Sequence, residues 1–334
     1  MANLNYVNGR WVNLEKPGGQ VIFVGGGTAA YPGGNGASDT YPGKRPTEPK
    51  STIQDALDDT VAGRGDTVVL LPGSITITSA LTMTKADVTL AGYAEVPKGV
   101  PNPSIITTAT NSVEMLNVDA DNVVVENLTF SNTAGTSDTF MIDVADTTAS
   151  SGVVLRKLYM DCTGGAAALN AIRFGDGTVV CKQSVVEECT IYDLDDIGIT
   201  ISAASDENIV RGCLIFDTVT ANAAVYAISC AGDGCTISEN EIRTNGTAGI
   251  HLAGTLNQLN NNRVSAVGAN SIGILLADGA TAFGNGNVVT AIAAGNLVDA
   301  TSDADSPTVF ADTGNIYNAD PATATFITAT VGGS

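Results

Sequence analysis

The sequence contains few charged and few aromatic side chains, and each shortage excludes a class of protein. Charged residues make up 15% and aromatic residues 5% of the 334 residues, with one Trp and one His. No apolar run reaches the roughly 20 residues that a membrane-spanning helix needs. A glycan-binding surface built from many exposed rings is also disfavoured. A few aromatic residues are nevertheless candidates to line one side of the molecule: Phe130, Tyr159, Tyr192, Phe216 and Tyr226.

Positive charge is also scarce. The chain has 15 Lys and Arg against 35 Asp and Glu, a formal net charge of −20, and no basic residue follows Arg263. This charge argues against nucleic acid, anionic membrane surfaces and, without a bridging cation, anionic polysaccharides as partners. Residues 1–50 nevertheless carry five basic and only three acidic residues. A mildly basic N-terminal segment on an acidic body suggests that this segment docks on another molecule.

The six cysteines match no zinc-binding spacing, and the N-terminus shows no charged-then-apolar signal peptide. We therefore expect synthesis and folding in a cytoplasm, with the thiols reduced and mostly buried. The cysteines are Cys162, Cys181, Cys189, Cys213, Cys230 and Cys235.

The middle of the chain contains a repeat of 22 to 32 residues. Its best-aligned column reads Asn127, Lys157, Cys189, Cys213, Asn240, Asn262 and Asn287. A second series lies downstream and pairs alternating apolar residues, such as Ile250 and Leu252. A period of two indicates strands with one buried face. Short strands on such a repeat predict a parallel β-solenoid of about eight or nine coils, stacked at roughly 4.8 Å.

The repeated asparagines predict a structural ladder inside one corner. An inward Asn can hydrogen-bond the backbone and the next Asn in the stack, so that buried polar groups are satisfied. Lys157 does not fit, and either points outward or marks a register error of one residue. A disulfide between Cys189 and Cys213 is the alternative to two reduced thiols. The predicted ladder consists of Asn127, Cys189, Cys213, Asn240, Asn262 and Asn287.

The segment "STIQDALDDTVAGRGDTVVLLPG", residues 51–73, resembles the start of the right-handed parallel β-helix proteins of the pectate-lyase-like superfamily. The resemblance covers about residues 20–300. It implies an all-β, right-handed parallel β-helix whose open end is capped by a short helix from Thr52 to about Val61. A turn over Gly65–Gly73 then leads into the first coil. This fold hosts lyases, hydrolases, epimerases and non-enzymatic viral spikes, so it does not by itself define a function.

Three regions follow from this organisation: an N-terminal arm and lead-in over 1–50, the β-helix over 51–299, and a C-terminal cap or oligomerisation segment over 300–334. Asn8-Gly9 between apolar residues predicts a hairpin in the arm. Arg10 and Trp11 lie in this hairpin. They are candidate attachment residues, with packing against the solenoid as the alternative.

Acidic residues are the candidates for a cation-binding or catalytic site. Asp161, Asp193 and Asp217 follow the ladder column by four residues and are predicted to stack on successive coils. Stacked carboxylates are either solvated or bridged by a cation such as Ca²⁺. No other cofactor is expected. If the protein is an enzyme, the candidate catalytic residues are Asp193, Asp195, Asp196 and Asp217.

The catalytic motifs of the family are mostly missing. Of the polygalacturonase-like motifs, only the pair Asp195-Asp196 occurs, and no arginine matches the pectate-lyase base motif. The single histidine, His251, is predicted to point outward between Ile250 and Leu252. Its predicted neighbours in the stack include no carboxylate to orient it: Ser229 precedes it and Leu275 follows.

The sequence therefore favours a non-enzymatic virion structural protein of a phage: a capsid-surface decoration, a head spike or a tail-spike module. It would be synthesised in the host cytoplasm and lie on the virion surface. Its expected partners are other virion proteins through the N-terminal arm, further copies of itself as a trimer, and host-surface glycans. The alternatives are a polysaccharide lyase or hydrolase acting on the acidic face, and a bacterial surface adhesin, which the missing signal disfavours.

Overall fold

The protein folds into a parallel β-helix with three long sheets. The computed structural model describes residues 4–7, 10–13, 18–25, 38, 40–108, 114–132, 140–162, 170–194, 196–216, 226–268, 271–277, 279–291, 298–300, 309–313 and 316–319. Within these residues the sheets contain eleven, ten and nine strands, and the neighbouring strands in each are parallel. The predicted all-β solenoid is confirmed. The coil count differs slightly from the predicted eight or nine, since the three sheets contain nine, ten and eleven strands.

The strands follow one another around the helix in a fixed order from sheet to sheet. The eleven-stranded sheet consists of β3 (Val21–Val24), β4 (Thr67–Leu70), β7 (Thr89–Gly92), β10 (Val124–Glu126), β14 (Val154–Arg156), β18 (Val185–Glu187), β21 (Ile209–Arg211), β24 (Thr236–Ser238), β27 (Asn257–Asn260), β30 (Thr281–Asn285) and β33 (Val309–Thr313). The ten-stranded sheet consists of β5 (Gly73–Ile77), β8 (Ser104–Thr108), β11 (Thr129–Asn132), β15 (Tyr159–Asp161), β19 (Thr190–Tyr192), β22 (Leu214–Phe216), β25 (Glu241–Thr244), β28 (Arg263–Ala266), β31 (Val288–Ala291) and β34 (Ile316–Ala319). The nine-stranded sheet consists of β6 (Leu81–Met83), β9 (Leu116–Val118), β12 (Phe140–Val144), β16 (Asn170–Phe174), β20 (Ile197–Ile201), β23 (Tyr226–Cys230), β26 (Ala248–Leu252), β29 (Ile272–Leu276) and β32 (Val298–Ala300).

Two short pairs and one helix complete the described elements. β1 (Leu4–Val7) and β2 (Arg10–Asn13) form the predicted antiparallel hairpin, with Tyr6 opposite Trp11. β13 (Ser150–Ser151) pairs with β17 (Cys181–Lys182). The helix α1 covers Ile53–Asp58, slightly shorter than predicted. No helix among the described residues is long and apolar enough to cross a membrane.

Isoleucines fill the core in register. Successive strands of the nine-stranded sheet place an isoleucine at the same inward position, and all six of these side chains are fully buried. Burying each such side chain stabilises the fold by about 1.5–3 kcal/mol. The aligned residues are Ile142, Ile172, Ile199, Ile228, Ile250 and Ile274.

One residue with positive φ marks each of the seven corners, from β10–β11 to β30–β31, between the eleven-stranded and ten-stranded sheets. It turns the chain, and the following side chain then points into the core. The corner residues are Asn127, Lys157, Glu188, Gly212, Glu239, Asn261 and Gly286, with φ between 53° and 67°. The inward column that follows them is Leu128, Leu158, Cys189, Cys213, Asn240, Asn262 and Asn287.

The predicted ladder therefore requires one correction, at Asn127. This residue occupies the corner position, in line with Lys157, and the inward position of its coil belongs to Leu128. The Asn127 side chain is buried, yet neither its oxygen nor its nitrogen has a hydrogen-bond partner. The register error of one residue that Lys157 suggested is real. It arises because the alignment placed 32 residues between Lys157 and Cys189, whereas the strands before these corners pair at a 31-residue spacing, Val154 with Val185.

Three asparagines form a continuous hydrogen-bonded ladder. Asn240 Nδ2 donates to Asn262 Oδ1 at 3.0 Å, and Asn262 Nδ2 donates to Asn287 Oδ1 at 2.9 Å. Each side chain also donates to a backbone carbonyl in the preceding coil, as Asn262 does to Ile237 at 2.8 Å. The backbone N–H of Cys213 donates to Asn240 Oδ1 at 2.9 Å. The ladder thus satisfies polar groups that water cannot reach.

A second ladder, which the repeat alignment missed, lies at the other end of the same strands. Ser184, Asn208, Cys235 and Asn257 occupy one inward position on successive coils. The N–H of Ser184 donates to Asn208 Oδ1 at 2.9 Å, and the N–H of Cys235 donates to Asn257 Oδ1 at 2.8 Å. At both corners of the eleven-stranded sheet, inward polar side chains therefore hydrogen-bond the backbone.

All six cysteines are buried, and none forms a disulfide. Cys189 and Cys213 occupy adjacent positions of the first ladder, and each sulfur lies near backbone carbonyls. Burial raises the pKa of the Cys189 thiol well above its usual value. Cys189 therefore acts as a small, uncharged core group.

The helix α1 closes the N-terminal end of the core. Thr52 caps it by accepting a hydrogen bond from the N–H of Asp55 at 3.3 Å, and Ile53, Ala56 and Leu57 are buried. The buried Asp66 fixes the following turn, because it accepts hydrogen bonds from the N–H of Gln20 and of Val61 and from the Arg64 side chain.

The β-helix extends beyond both predicted boundaries. β3 lies in the region assigned to the arm and lead-in, yet it pairs with β4 and belongs to the eleven-stranded sheet. β33 and β34 lie in the region assigned to the C-terminal cap, yet they pair with β30 and β31. The sheets thus continue past 51 and 299, and the division into three regions remains a prediction.

We predict that Asn262→Ala lowers the free energy of unfolding by about 3 kcal/mol, because Asn240 and the carbonyl of Ile237 lose buried partners. Urea unfolding followed by circular dichroism measures the change. Asn285→Ala is the matched control: Asn285 is exposed on a neighbouring coil, and its loss should change stability by less than about 0.5 kcal/mol. Equal effects of the two substitutions would contradict the ladder.

Candidate functional site

The predicted column of three aspartates does not form as expected. Asp161 pairs with Tyr192, so Asp193 lies one position further along its own strand. Asp193 adopts a positive φ of 58° and begins the corner toward the nine-stranded sheet. Asp217, the third predicted member, lies outside the described residues. Asp161 and Asp193 are therefore diagonal neighbours, and the calcium ion predicted between them remains a prediction.

The two carboxyl groups still influence each other. Burial raises the pKa of Asp193, and the negative charge of Asp161 raises it further. Of the alternative catalytic residues, Asp196 is half-buried and precedes β20, while Asp195 lies outside the described residues. Asp193 and Asp196 thus lie in the connection between β19 and β20.

The acidic cluster of the described residues lies instead on the outer face of the nine-stranded sheet. Glu114, Asp143 and Asp146 place carboxylate oxygens within 4.8 Å of one another. Asp143 lies between the inward residues Ile142 and Val144, so it points outward, and it is nevertheless fully buried. Its neighbour in the next strand is Arg173.

Arg173 holds this cluster together. Its Nε donates to Asp143 Oδ1 at 3.0 Å, and its Nη2 contacts Asp143 Oδ2 and lies 3.6 Å from Asp146 Oδ1. The guanidinium carbon lies 4.9 Å from the centre of the Phe140 ring. Burial raises the pKa of Asp143 to about 6, while the hydrogen bond from Arg173 opposes that rise.

Three carboxylates are the oxygen ligands that Ca²⁺ prefers. A buried amide also belongs to this neighbourhood: Asn117 Nδ2 donates to Asp146 at 3.3 Å, and Asn117 Oδ1 has no hydrogen-bond partner. However, the guanidinium of Arg173 already supplies a positive charge between Asp143 and Asp146. The arrangement is therefore an ion-pair network, and a calcium ion here would have to displace its internal cation.

The histidine column forms with the predicted register. Asp143, Arg173, Thr200, Ser229 and His251 occupy the same outward position on consecutive strands. His251 Nδ1 lies 3.3 Å from Ser229 Oγ.

Tyr226 covers the histidine ring, which it stacks against with centroids 4.3 Å apart and planes 13° apart. Burial lowers the pKa of His251, so the ring is mainly neutral at pH 7. The described contacts of His251 include no carboxylate that would orient it as a base.

An alternating charge column lies on the eleven-stranded sheet. Glu126, Arg156, Glu187 and Arg211 are aligned on four consecutive strands. Arg156 Nε lies 2.6 Å from Glu126 Oε2, and Arg211 Nε lies 2.8 Å from Glu187 Oε2. Arg211, which the sequence placed near the acidic corner, is therefore committed to an ion pair on another face.

We predict that Asp143 makes stability depend on pH. Because its pKa is raised to about 6, above the ordinary value of about 3.9, ionisation costs more in the folded than in the unfolded protein. Its contribution to the free energy of unfolding is therefore greatest below about pH 4 and falls as the pH rises to about 6. Urea unfolding across this range measures the fall.

In the variant Asp143→Asn the free energy of unfolding should no longer fall between about pH 4 and pH 6. In the control Asp58→Asn, at an exposed position, it should still fall. Identical pH profiles for Asp143→Asn and the unmodified protein would contradict the assignment.

Comparisons with known proteins agree with this architecture. Residues 102–264 match the family model described as "Right handed beta helix region". A rhamnogalacturonan lyase is similar at 13% identity with a TM-score of 0.51, over 89% of this chain and 87% of that chain. Pectate lyase Pel9A is similar at 11% identity with a TM-score of 0.49, over 89% and 79%.

A third similar structure, titled "Geobacillus virus E2 - ORF18", has 12% identity and a TM-score of 0.46, over 80% of this chain and 57% of that one. The search of curated proteins found no match. At such low identities the likeness concerns the fold alone. The chain therefore has the fold of a right-handed parallel β-helix.

Proposed function

We propose that the protein is a non-enzymatic structural protein of a phage virion, as a capsid-surface decoration, head spike or tail-spike module. In this role it is synthesised in the host cytoplasm and displayed on the virion surface. It contacts other virion proteins through its N-terminal arm and host-surface glycans through its body, and it assembles as a trimer. The non-enzymatic assignment rests on one observation: outward-pointing charged side chains form ion pairs between neighbouring coils.

These ion pairs support a structural role. Asp143 with Arg173, Glu126 with Arg156, and Glu187 with Arg211 each join adjacent strands. In each pair the arginine donates a hydrogen bond to the carboxylate of the preceding strand. The same pairs hold successive coils in register. The charged outer faces therefore suit a stable rod better than a reaction centre.

The N-terminal arm supports attachment. It contains the β1–β2 hairpin, with Arg10 and Trp11 on β2, and residues 1–17 carry Arg10 and Lys16 against Glu15 in a chain of net charge −20. Opposite charge steers the arm, and not the acidic body, toward an acidic partner. The proposal needs no cofactor; a calcium ion between Asp161 and Asp193 would serve as a structural ion.

Mass spectrometry of gradient-purified phage particles tests the virion assignment. We expect the chain to copurify with capsid or tail proteins at a constant ratio across the particle peak. Its presence only in soluble lysate fractions would overturn the assignment.

Deleting residues 2–17 tests the arm. This change leaves the N–H of Gln20 bonded to Asp66 and leaves β3 in its sheet, so the rod should retain its unfolding midpoint. Association with particles, measured by cosedimentation, should fall at least tenfold. The matched control Trp11→Phe keeps a ring at this position. Undiminished cosedimentation of the deletion variant would contradict attachment through the arm.

A polysaccharide lyase or hydrolase is the second candidate, favoured by one observation: a carboxyl group of raised pKa, Asp143, beside Arg173 on an outer sheet face. Screening neutral and uronic polysaccharides with and without Ca²⁺ tests it. We expect no turnover. Turnover lost in Asp143→Asn, or in Asp193→Ala or Asp196→Ala, would replace the structural assignment with an enzymatic one.

A further inference from the structure

We propose that Cys230 and Cys235 form a dithiol modification site, which a small disulfide oxidant converts into a disulfide bond across the turn between β23 and β24. This inference goes beyond the proposed function and does not depend on it, because it concerns contacts within one chain. We call residues 230–235 the cysteine turn.

The cysteine turn connects the nine-stranded sheet with the eleven-stranded sheet. Cys230 is the last residue of β23, where its partners on the neighbouring strands are the inward residues Ile201 and Leu252. Cys235 directly precedes β24 and belongs to the second ladder. Both side chains are fully buried, and only residues 231–234 separate them. The fold therefore turns two thiols into the core at the same corner.

Both sulfur atoms contact the backbone of this one turn. Cys230 Sγ lies 3.6 Å from the carbonyl oxygen of Gly232, and Cys235 Sγ lies 3.6 Å from that of Asp233. The two thiols also hydrogen-bond each other. A disulfide requires its sulfur atoms at roughly 2.0 Å. Two thiols in hydrogen-bond contact therefore need only a short approach to form the covalent bond.

Gly232 allows the cysteine turn to pack tightly on the preceding coil. A Cβ atom at this position would lie 2.1 Å from the carbonyl oxygen of Ser205, which is closer than any side chain can approach. Cys235 Sγ lies 3.8 Å from the same carbonyl oxygen. The close approach that only glycine permits thus holds the cysteine turn, and with it both thiols, in place.

The exposed part of the turn gives an oxidant access. Asp233 and Gly234 are exposed and directly precede Cys235. Asp233 Oδ1 accepts hydrogen bonds from the N–H and, at 2.9 Å, from the hydroxyl of Thr255 in the next coil. Exposed hydrogen bonds of this kind break at a low free-energy cost. Local opening of the turn therefore brings Cys235 to solvent while the sheets stay folded.

The two thiols differ in acidity. The hydrogen bond from the Cys230 thiol lowers the pKa of Cys235, although burial opposes this effect. The same hydrogen bond raises the pKa of Cys230 well above its usual value, and burial adds to the rise. Because the thiolate is the nucleophile in disulfide exchange, Cys235 is the attacking group and Cys230 the resolving group.

The exchange proceeds in two steps. The Cys235 thiolate attacks one sulfur of the oxidant RSSR, so that a mixed disulfide forms and RS⁻ leaves. Cys230 then loses its proton and attacks the Cys235 sulfur, which forms the internal disulfide and releases the second RS⁻. The two protons of the cysteine thiols convert both RS⁻ ions into RSH. Two thiols are thus oxidised while one RSSR is reduced to two RSH.

The pair Cys189 and Cys213 lacks this arrangement. Burial raises the pKa of Cys189 well above its usual value, and its contact with Cys213 raises it further. The carbonyl contacts of the two sulfurs also lie in different coils, at Glu187 and Arg211. Oxidation should therefore begin at the cysteine turn.

Mass spectrometry of the full chain tests the site. The folded protein is incubated with oxidised glutathione and then denatured, and the remaining thiols are alkylated. We expect two of the six cysteines to escape alkylation, and peptide mapping to place the bond between Cys230 and Cys235. A thiol reductant should restore all six. Cys235→Ser should abolish the reaction, and the matched control Cys181→Ser should retain it.

A second variant tests the opening of the turn. Asp233→Ala should be oxidised about tenfold faster, because the lost hydrogen bonds make the open turn more populated. Asp121→Ala is the matched control. Asp121 accepts the equivalent pair of hydrogen bonds from Ser151, in a coil whose turn carries no cysteine pair, so its loss should leave the rate unchanged.

Three outcomes would overturn the site: all six thiols of the unmodified protein remain alkylatable, the bond maps to another pair, or Cys235→Ser loses the same thiols. Equal oxidation rates for Asp233→Ala and the unmodified protein would contradict access through the turn. Mapping on the unmodified protein decides the question even if Cys235→Ser fails to fold. Copurification with particles does not enter this test, so this inference and the proposed function fail separately.

Discussion

The structure depends on the pair of tight corners that bounds the strands of the eleven-stranded sheet. At each corner one residue adopts a positive φ, as Glu188 does at 54°, and the next side chain turns into the core. A left-handed residue other than glycine costs about 1–2 kcal/mol. Inward side chains such as Asn262 offset this cost by hydrogen-bonding the backbone and the next asparagine of the ladder. Without these bonds, buried amides at every corner would lack partners.

Fixed corners determine what each outer face displays. Because register is locked at both ends of the strands, residues that are about one coil apart in sequence become direct neighbours. Arg173 meets Asp143 and Tyr192 meets Phe216 for this reason. The charged columns and the neighbouring rings of Tyr192 and Phe216 are therefore consequences of the same corner geometry. A shift of one residue would bury the charges and expose the isoleucine stack.

Periodicity in the sequence was sufficient to predict the solenoid and the part of the ladder from Cys189 to Asn287, whereas the capping helix was implied by the family resemblance. It failed at Asn127, because a corner residue and a ladder residue can both be asparagine and only φ distinguishes them. The second ladder was missed because Ser184, Asn208 and Cys235 share a position and no residue type. The neighbours Asp143 and Arg173 follow from the predicted register, whereas the hydrogen bond from Gly99 to Thr190 joins residues that the repeat does not relate.

The central claim is that this rod is attached to a particle at its N-terminal end and presents its sheet faces outward. Cryo-electron microscopy of purified phage particles tests that claim most directly. The account predicts a β-helix rod on the particle surface, with residues 1–17 in contact with a capsid or tail protein and Tyr192 facing solvent. Particles without such a rod, or a rod attached through the ten-stranded sheet, would contradict it.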